Sequence, residues 1–228
     1  PAIPDGMEEK KKALSYLEQS ASLGCGIAFE ALADIALSQG RYKDFEENLK
    51  QGYRAGSEEC RKKLIRFCCG RAMKALQAMK NFQFLRTGRR ETLSTEDSEK
   101  MKEAAGWYKK AAAAGDVDSS AFLATLYLYY GDVLGVTEKD FTKAARKGSS
   151  SSDIYVDVLL WKYYAGPGPH DGEVFHKENP KKAFQLAQRL ARKGHFKFYK
   201  IMSSYYEEGY GTKRSSRMAA YWADQVRN

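Results

Sequence analysis

Apolar positions recur along this chain at helical spacing, in short runs that each close on a glycine. Leu17–Gly24, Lys50–Gly56, Lys109–Gly115, Ala144–Gly148 and Leu190–Gly194 combine alanine with an apolar stripe, and four of them carry Lys or Arg near the end. Each reads as a helix stopped by a glycine in the left-handed conformation, with cations opposing the partial negative charge of the helix end. The glycines fall at intervals of 32, 59, 33 and 46 residues. Two intervals fit a repeat of about 33 residues, and the other two fit one repeat plus an insertion. The first insertion lies within Gly70–Glu99, and the second is Gly166–Asn179.

A second kind of helix follows the glycines. Leu123-Ala124-x-x-Tyr127, Leu159-Leu160-x-x-Tyr163 and Met202-Ser203-x-x-Tyr206 share one template, whose first, second and fifth positions lie on one helical face. A small second residue lets a neighbouring helix approach, so Leu160 must loosen or adjust its repeat. Predicted helices cover 7–23, 26–38, 43–55, 57–82, 98–114, 118–130, 138–147, 152–165, 180–193, 196–208 and 215–226, with Gly70 a potential break in the fourth. One helix pair cannot bury its apolar face alone, so stacked pairs must share a core.

The spacing Tyr206-x-x-Gly209-x-Gly211 is repeated by Tyr163, Gly166 and Gly168. Ala104, Trp107, Tyr108, Lys110, Ala111, Ala112 and Gly115 form a run that Ala219 and Trp222 echo. These residues resemble the Sel1-like repeats, relatives of the tetratricopeptide repeat. Leu123, Ala124 and Tyr127 fit less fully, with Gly131 one place late. The likeness is strong over about 98–228 and weak over 1–97. Over 1–97 only Ala13, Tyr16, Leu17, Ala21, Gly24, Leu32 and Ala36 keep the outline, so degenerate helical repeats are expected there, with a basic insertion near the end. The resemblance implies an all-α fold without sheet: a right-handed α-solenoid of about five stacked antiparallel helix pairs. It also implies a protein-interaction scaffold or adaptor without catalytic residues. Bacterial members of the family include immunity partners of secreted lipase toxins, and this small basic chain is similar to that kind.

Composition narrows little. The chain has 228 residues, 43% hydrophobic and 29% charged, with a formal charge of +9, as expected of a globular protein with a solvated basic surface. No run of 18 apolar residues is present, so no transmembrane helix is expected. The chain opens on Pro1, which suggests trimming, so the missing signal peptide says little about destination; the compartment stays open, with the bacterial periplasm favoured over the cytoplasm. Cys25, Cys60, Cys68 and Cys69 read as buried free thiols. Cys60 and Cys68 would sit about 12 Å apart on one helix, too far for a disulfide.

Catalytic motifs are missing: no G-x-S-x-G, no H-E-x-x-H, no phosphate loop and no dinucleotide fingerprint. His170 and His176 share a loop with acidic residues, but scattered loop positions suit a metal poorly. No cofactor, metal or small-molecule substrate is expected. Other aromatics fall outside the repeat's core positions. With Leu123, Ala124 and Tyr127 facing inwards, Phe122 and Tyr129 take the opposite side, as do Val158 and Trp161 and then Ile201. Lys162 and Tyr205 lie at its edge. This face is the expected groove for a protein partner. Arg86, Arg89 and Arg90 in the first insertion are expected as rim contacts for an acidic partner, a toxin or enzyme among them. The alternative is a basic module for RNA or a membrane surface, although nucleic acid lacks any motif in its support.

Overall fold

The computed structural model describes residues 5–80, 90–149, 154–165 and 172–226, with side chains from Glu8 onward. Eleven helices lie among them, and every regular element among the described residues is helical. They are α1 (Asp5–Ser22), α2 (Gly26–Ser38), α3 (Tyr42–Arg54), α4 (Glu58–Gln77), α5 (Thr95–Ala113) and α6 (Val117–Leu134). Then come α7 (Glu138–Gly148), α8 (Ile154–Tyr164), α9 (Pro180–Arg192), α10 (Lys197–Glu208) and α11 (Ser216–Gln225). Each corresponds to a helix expected from periodicity. Gly70 does not break α4, which ends at Gln77 rather than 82.

Short polar signals start these helices. Asp116 accepts the Ser119 amide at 2.9 Å ahead of α6, and Asn179 accepts the Lys182 amide at 3.0 Å ahead of α9, where Pro180 takes the first helical position. Thr137 and Asp140 form a reciprocal capping box on α7. The Thr137 hydroxyl and backbone amide hold the Asp140 carboxyl below its ordinary range. At the far ends, Gly24, Gly56, Gly115 and Gly194 have φ between 83° and 90°, the left-handed conformation their spacing predicts.

Gly148 departs from that series. It is the last residue of α7, and Ser149 is the cap. Gly148 is buried, and a Cβ placed on it would meet the Ala121 amide nitrogen at 2.7 Å. The residue is there for the close approach of α7 to α6, not for a turn.

The chain divides into two compact units, Pro1–Arg71 with Ala113–Gly115, and Ala72–Ala112 with Asp116–Asn228. In the first, α2 packs on α1 and α3. Phe67 of α4 meets Phe45 of α3 edge-on at 4.9 Å. Lys63 bridges Glu30 and Asp34 of α2 at 2.9 and 2.8 Å, and its hydrogen bond to Asp34 raises its ammonium above the usual range. Cys60 is buried beside Gly52, and burial pushes its thiol up. None of the four cysteines is in a disulfide; Cys68 is also buried, whereas Cys25 is exposed, against the expectation of a buried thiol.

In the second unit each helix packs on its successor from α6 to α11, and α8 also packs on α6. The template residues Leu123, Ala124 and Tyr127, Leu159 and Tyr163, and Met202 and Ser203 are all buried, while Tyr206 is partly so. Ser203 donates to the Ala219 carbonyl at 3.0 Å, so a small residue does bring α10 onto α11. Leu160 at the equivalent position is only partly buried. Helix α6 passes the predicted end at 130: Tyr130 kinks it (φ −130°, ψ 21°) and it continues to Leu134.

Gly148→Ala is expected to destabilise the protein by about 1–3 kcal/mol, because a Cβ there overlaps backbone that cannot give way. Gly70→Ala, exposed in mid-α4 with open space around it, should instead stabilise by about 0.5–1 kcal/mol. Urea unfolding of both variants decides the pair. Replacing the α6 cap, Asp116→Ala, should cost about 1 kcal/mol in the same measurement.

Candidate partner surface

The residues expected to form a binding face lie in the second unit, on α6, α8 and α10. Four of them come together. Val158, Trp161, Ile201 and Tyr205 are partly buried and gather on a core of Phe198, Met202, Leu190 and Trp222. The Trp161 indole meets the Phe198 ring edge-on at 5.0 Å and donates through Nε1 to the Tyr205 hydroxyl at 3.0 Å. The Tyr205 ring also packs on Tyr210 at 4.8 Å. Burial pushes the Tyr205 phenol up to about 12, an effect that the Trp161 donor partly offsets. The result is a firm aromatic strip across α8 and α10, part of it wetted. Phe122 is not in this group; it lies against Tyr108 of α5 at 4.7 Å.

Tyr129 and Lys162 form a different constellation. Tyr129 is buried, whereas its helical position predicts a groove-facing side chain. The cause is the second insertion, whose residues 172–179 lie across the C-terminal parts of α6 and α8. The Val174 amide donates to the Leu128 carbonyl at 2.7 Å, and the Lys177 and Asn179 amides donate to Tyr163 and Tyr164 at 2.9 Å. Phe175 sits over Gly131, where a Cβ would meet its ring at 2.6 Å. Glu173, with its side chain 4% exposed, pairs with Lys162 at 3.1 Å and accepts from the Tyr129 hydroxyl at 3.2 Å. Lys162 in turn donates to the Tyr129 oxygen at 2.6 Å. Burial drives the Tyr129 phenol upward, with Lys162 opposing. This triad fastens the insertion.

Of the three expected rim arginines, Arg86 and Arg89 lie outside the described residues, as do His170, Gly166 and Gly168. Arg90 is engaged internally: it pairs with Asp132, lies 5.9 Å from the Tyr130 ring centre, and its Cβ packs on Gly172. His176 contacts the Ala165 carbonyl. Glu207 and Glu208 are exposed. No helix among the described residues is long and apolar enough to cross a membrane.

A cleft of about 600 Å³ is lined by α7, the end of α8, Lys177 and the start of α9. Its cations are Lys139, Arg146, Lys177 and Lys182, and its one carboxylate is Glu138. Lys139, Thr142 and Arg146 recur at spacings of three and four along α7, so their polar and charged groups share one helical face, a pattern legible in the sequence.

No curated protein matches the chain. Among solved structures, a Sel1 repeat protein from Oxalobacter formigenes is 23% identical, covers 95% of this chain and 78% of its own, and has a TM-score of 0.42. A protective antigen present in uropathogenic Escherichia coli strains, displaying an SLR fold, is 17% identical, with 93% of this chain and 56% of that chain covered and a TM-score of 0.41. The Sel1 repeat itself is matched at residues 6–25, 97–116, 117–146, 169–195 and 201–225, more than half of the sequence. The chain belongs to the Sel1 repeat family, whose helix pairs generally mediate protein–protein interaction.

Proposed function

We propose that this protein is a non-enzymatic scaffold that binds a protein partner through the strip of Val158, Trp161, Ile201 and Tyr205. One observation carries the reading: large side chains stay partly exposed on adjoining helices, and two of them, Trp161 and Tyr205, are joined by an indole–phenol hydrogen bond, with Trp161 edge-on to Phe198. Pre-ordered aromatic anchors lose little side-chain entropy on docking, which is why such residues dominate interface energies. Tyr129 and Lys162 fix the insertion through Glu173 and lie outside the strip, as does Phe122 against Tyr108.

The finer version of this function is inhibition of a secreted toxin or lipase by covering its active-site entrance. It rests on the family resemblance and needs only a broad complementary surface, since blocking an entrance requires no chemistry of the blocker. RNA or an anionic membrane surface is the alternative, motivated by the net charge of +9.

The deciding experiment captures partners from the native source with the wild-type chain and with Trp161→Ala, after circular dichroism shows equal helicity. One stoichiometric protein retained by wild type and lost, by tenfold or more in affinity, with Trp161→Ala is the expected result. Salt-labile RNA or vesicle binding that survives Trp161→Ala would overturn the reading. A pH limit comes with the strip. Tyr205 ionises near pH 10 when unfolded and at about 12 when folded, so it favours the folded state fully below the first value. That contribution is lost as pH rises through the second, and Tyr205→Phe should flatten the stability–pH curve over this window.

A further inference from the structure

The cleft between α7 and α9 lies apart from the aromatic strip, and its electrostatics are one-sided. Lys139 and Arg146 come from α7, Lys177 from the insertion and Lys182 from the first turn of α9; all four are exposed. None of them forms an ion pair with a carboxylate among the described residues. Lys182 lies over the Tyr164 ring at 4.8 Å from its centre and reaches the phenol oxygen at 3.4 Å. Glu138, the one carboxylate in the lining, accepts from the Tyr163 hydroxyl. Its neighbour Asp140 is committed to the Thr137 capping box. Elsewhere on this surface exposed lysines find carboxylates, as Lys102 does with Glu99 at 2.7 Å. Here four cations line one cleft, and among the described residues its one carboxylate, Glu138, pairs with none of them.

We propose that this cleft is a docking site for an acidic polypeptide segment of a partner protein. Charge complementarity names the sign of the occupant, and the layout names its form. Lys139 and Arg146 are two helical turns apart, about 10 Å, with Lys177 and Lys182 contributed by other elements. Cations spread over that length match successive carboxylates on an extended chain better than one compact oxyanion, which would want them gathered around a point. Thr142, Asn179 and Tyr164 supply polar groups for the segment's backbone and a ring edge for its aliphatic stems. The site does not depend on the α8–α10 strip and gives a bound partner a second, ionic anchor.

The test uses the full chain and a short labelled poly-glutamate peptide, followed by fluorescence anisotropy at low and moderate salt. Saturable binding is expected, weakened about tenfold or more by Arg146→Glu with Lys182→Glu. Lys11→Glu with Lys12→Glu changes net charge equally on exposed positions of α1 and should alter binding less than about twofold. Trp161→Ala should leave it unchanged, which separates this site from the strip. If the reversal pair fails to fold, Lys139→Gln with Lys177→Gln serves in its place and should weaken binding about fivefold. Equal losses in the cleft pair and the α1 pair would overturn the proposal, since net charge alone would then be acting. Displacement of the peptide by inorganic phosphate, or tighter binding of a poly-uridine RNA with the same variant dependence, would overturn it too, by assigning the cleft to oxyanions or to nucleic acid.

Discussion

Close approach between consecutive helices is the constraint on which the rest of this protein depends. Helix pairs in a repeat array have no independent core, so each must come near enough to its neighbours to share one. Small residues at fixed places allow it. Gly148 lets α7 meet the backbone of α6 at Ala121, and Ser203 brings α10 against the Ala219 carbonyl of α11. Where a larger residue takes that place, as at Leu160, the side chain is only partly buried. In the first unit Gly52 plays the same part against Cys60.

Close packing at those points determines what remains for recognition. Helix α6 is buried almost all round, because α7 and α8 take two sides and the 172–179 segment takes another. A helix enclosed in this way has no face to offer a partner. Helices α8 and α10 are less enclosed, so Trp161 and Tyr205 pack firmly while part of each stays wet. The insertion, which breaks the repeat in sequence, thus does structural work: its backbone amides satisfy carbonyls at the ends of α6 and α8, and Glu173 neutralises Lys162 over Tyr129.

Electrostatics then divides the basic residues into two populations. Arg90, Lys63 and Lys162 are spent on internal carboxylates, where they hold helices and insertions together. Among the described residues Lys139, Arg146, Lys177 and Lys182 pair with no carboxylate, and they line a single cleft. As proposed binding surfaces, the apolar strip and the ionic cleft would offer different kinds of contact, one supplying affinity by burial and the other orientation and encounter rate.

Local patterning by itself determined the elements and the family. Periodic apolar positions, capping residues such as Asp116, Thr137 and Asn179, and the glycines closing each helix act within one or two turns of chain, so they are readable without a structure. The same local logic misjudged Gly148, which has the look of a helix-ending glycine but is small for the sake of Ala121, a residue on another helix. It also misjudged Tyr129, because helical periodicity says which side a residue takes and not what covers that side. The Tyr206–Gly211 stretch that best marks the family closes α10 at Gly209, with φ of 76°. Only tertiary structure could decide the Trp161–Tyr205 bond, the path of the insertion and the meeting of four cations in one cleft. Each joins residues distant in sequence, and such pairings are set by how the helices stack rather than by the residues' own neighbours.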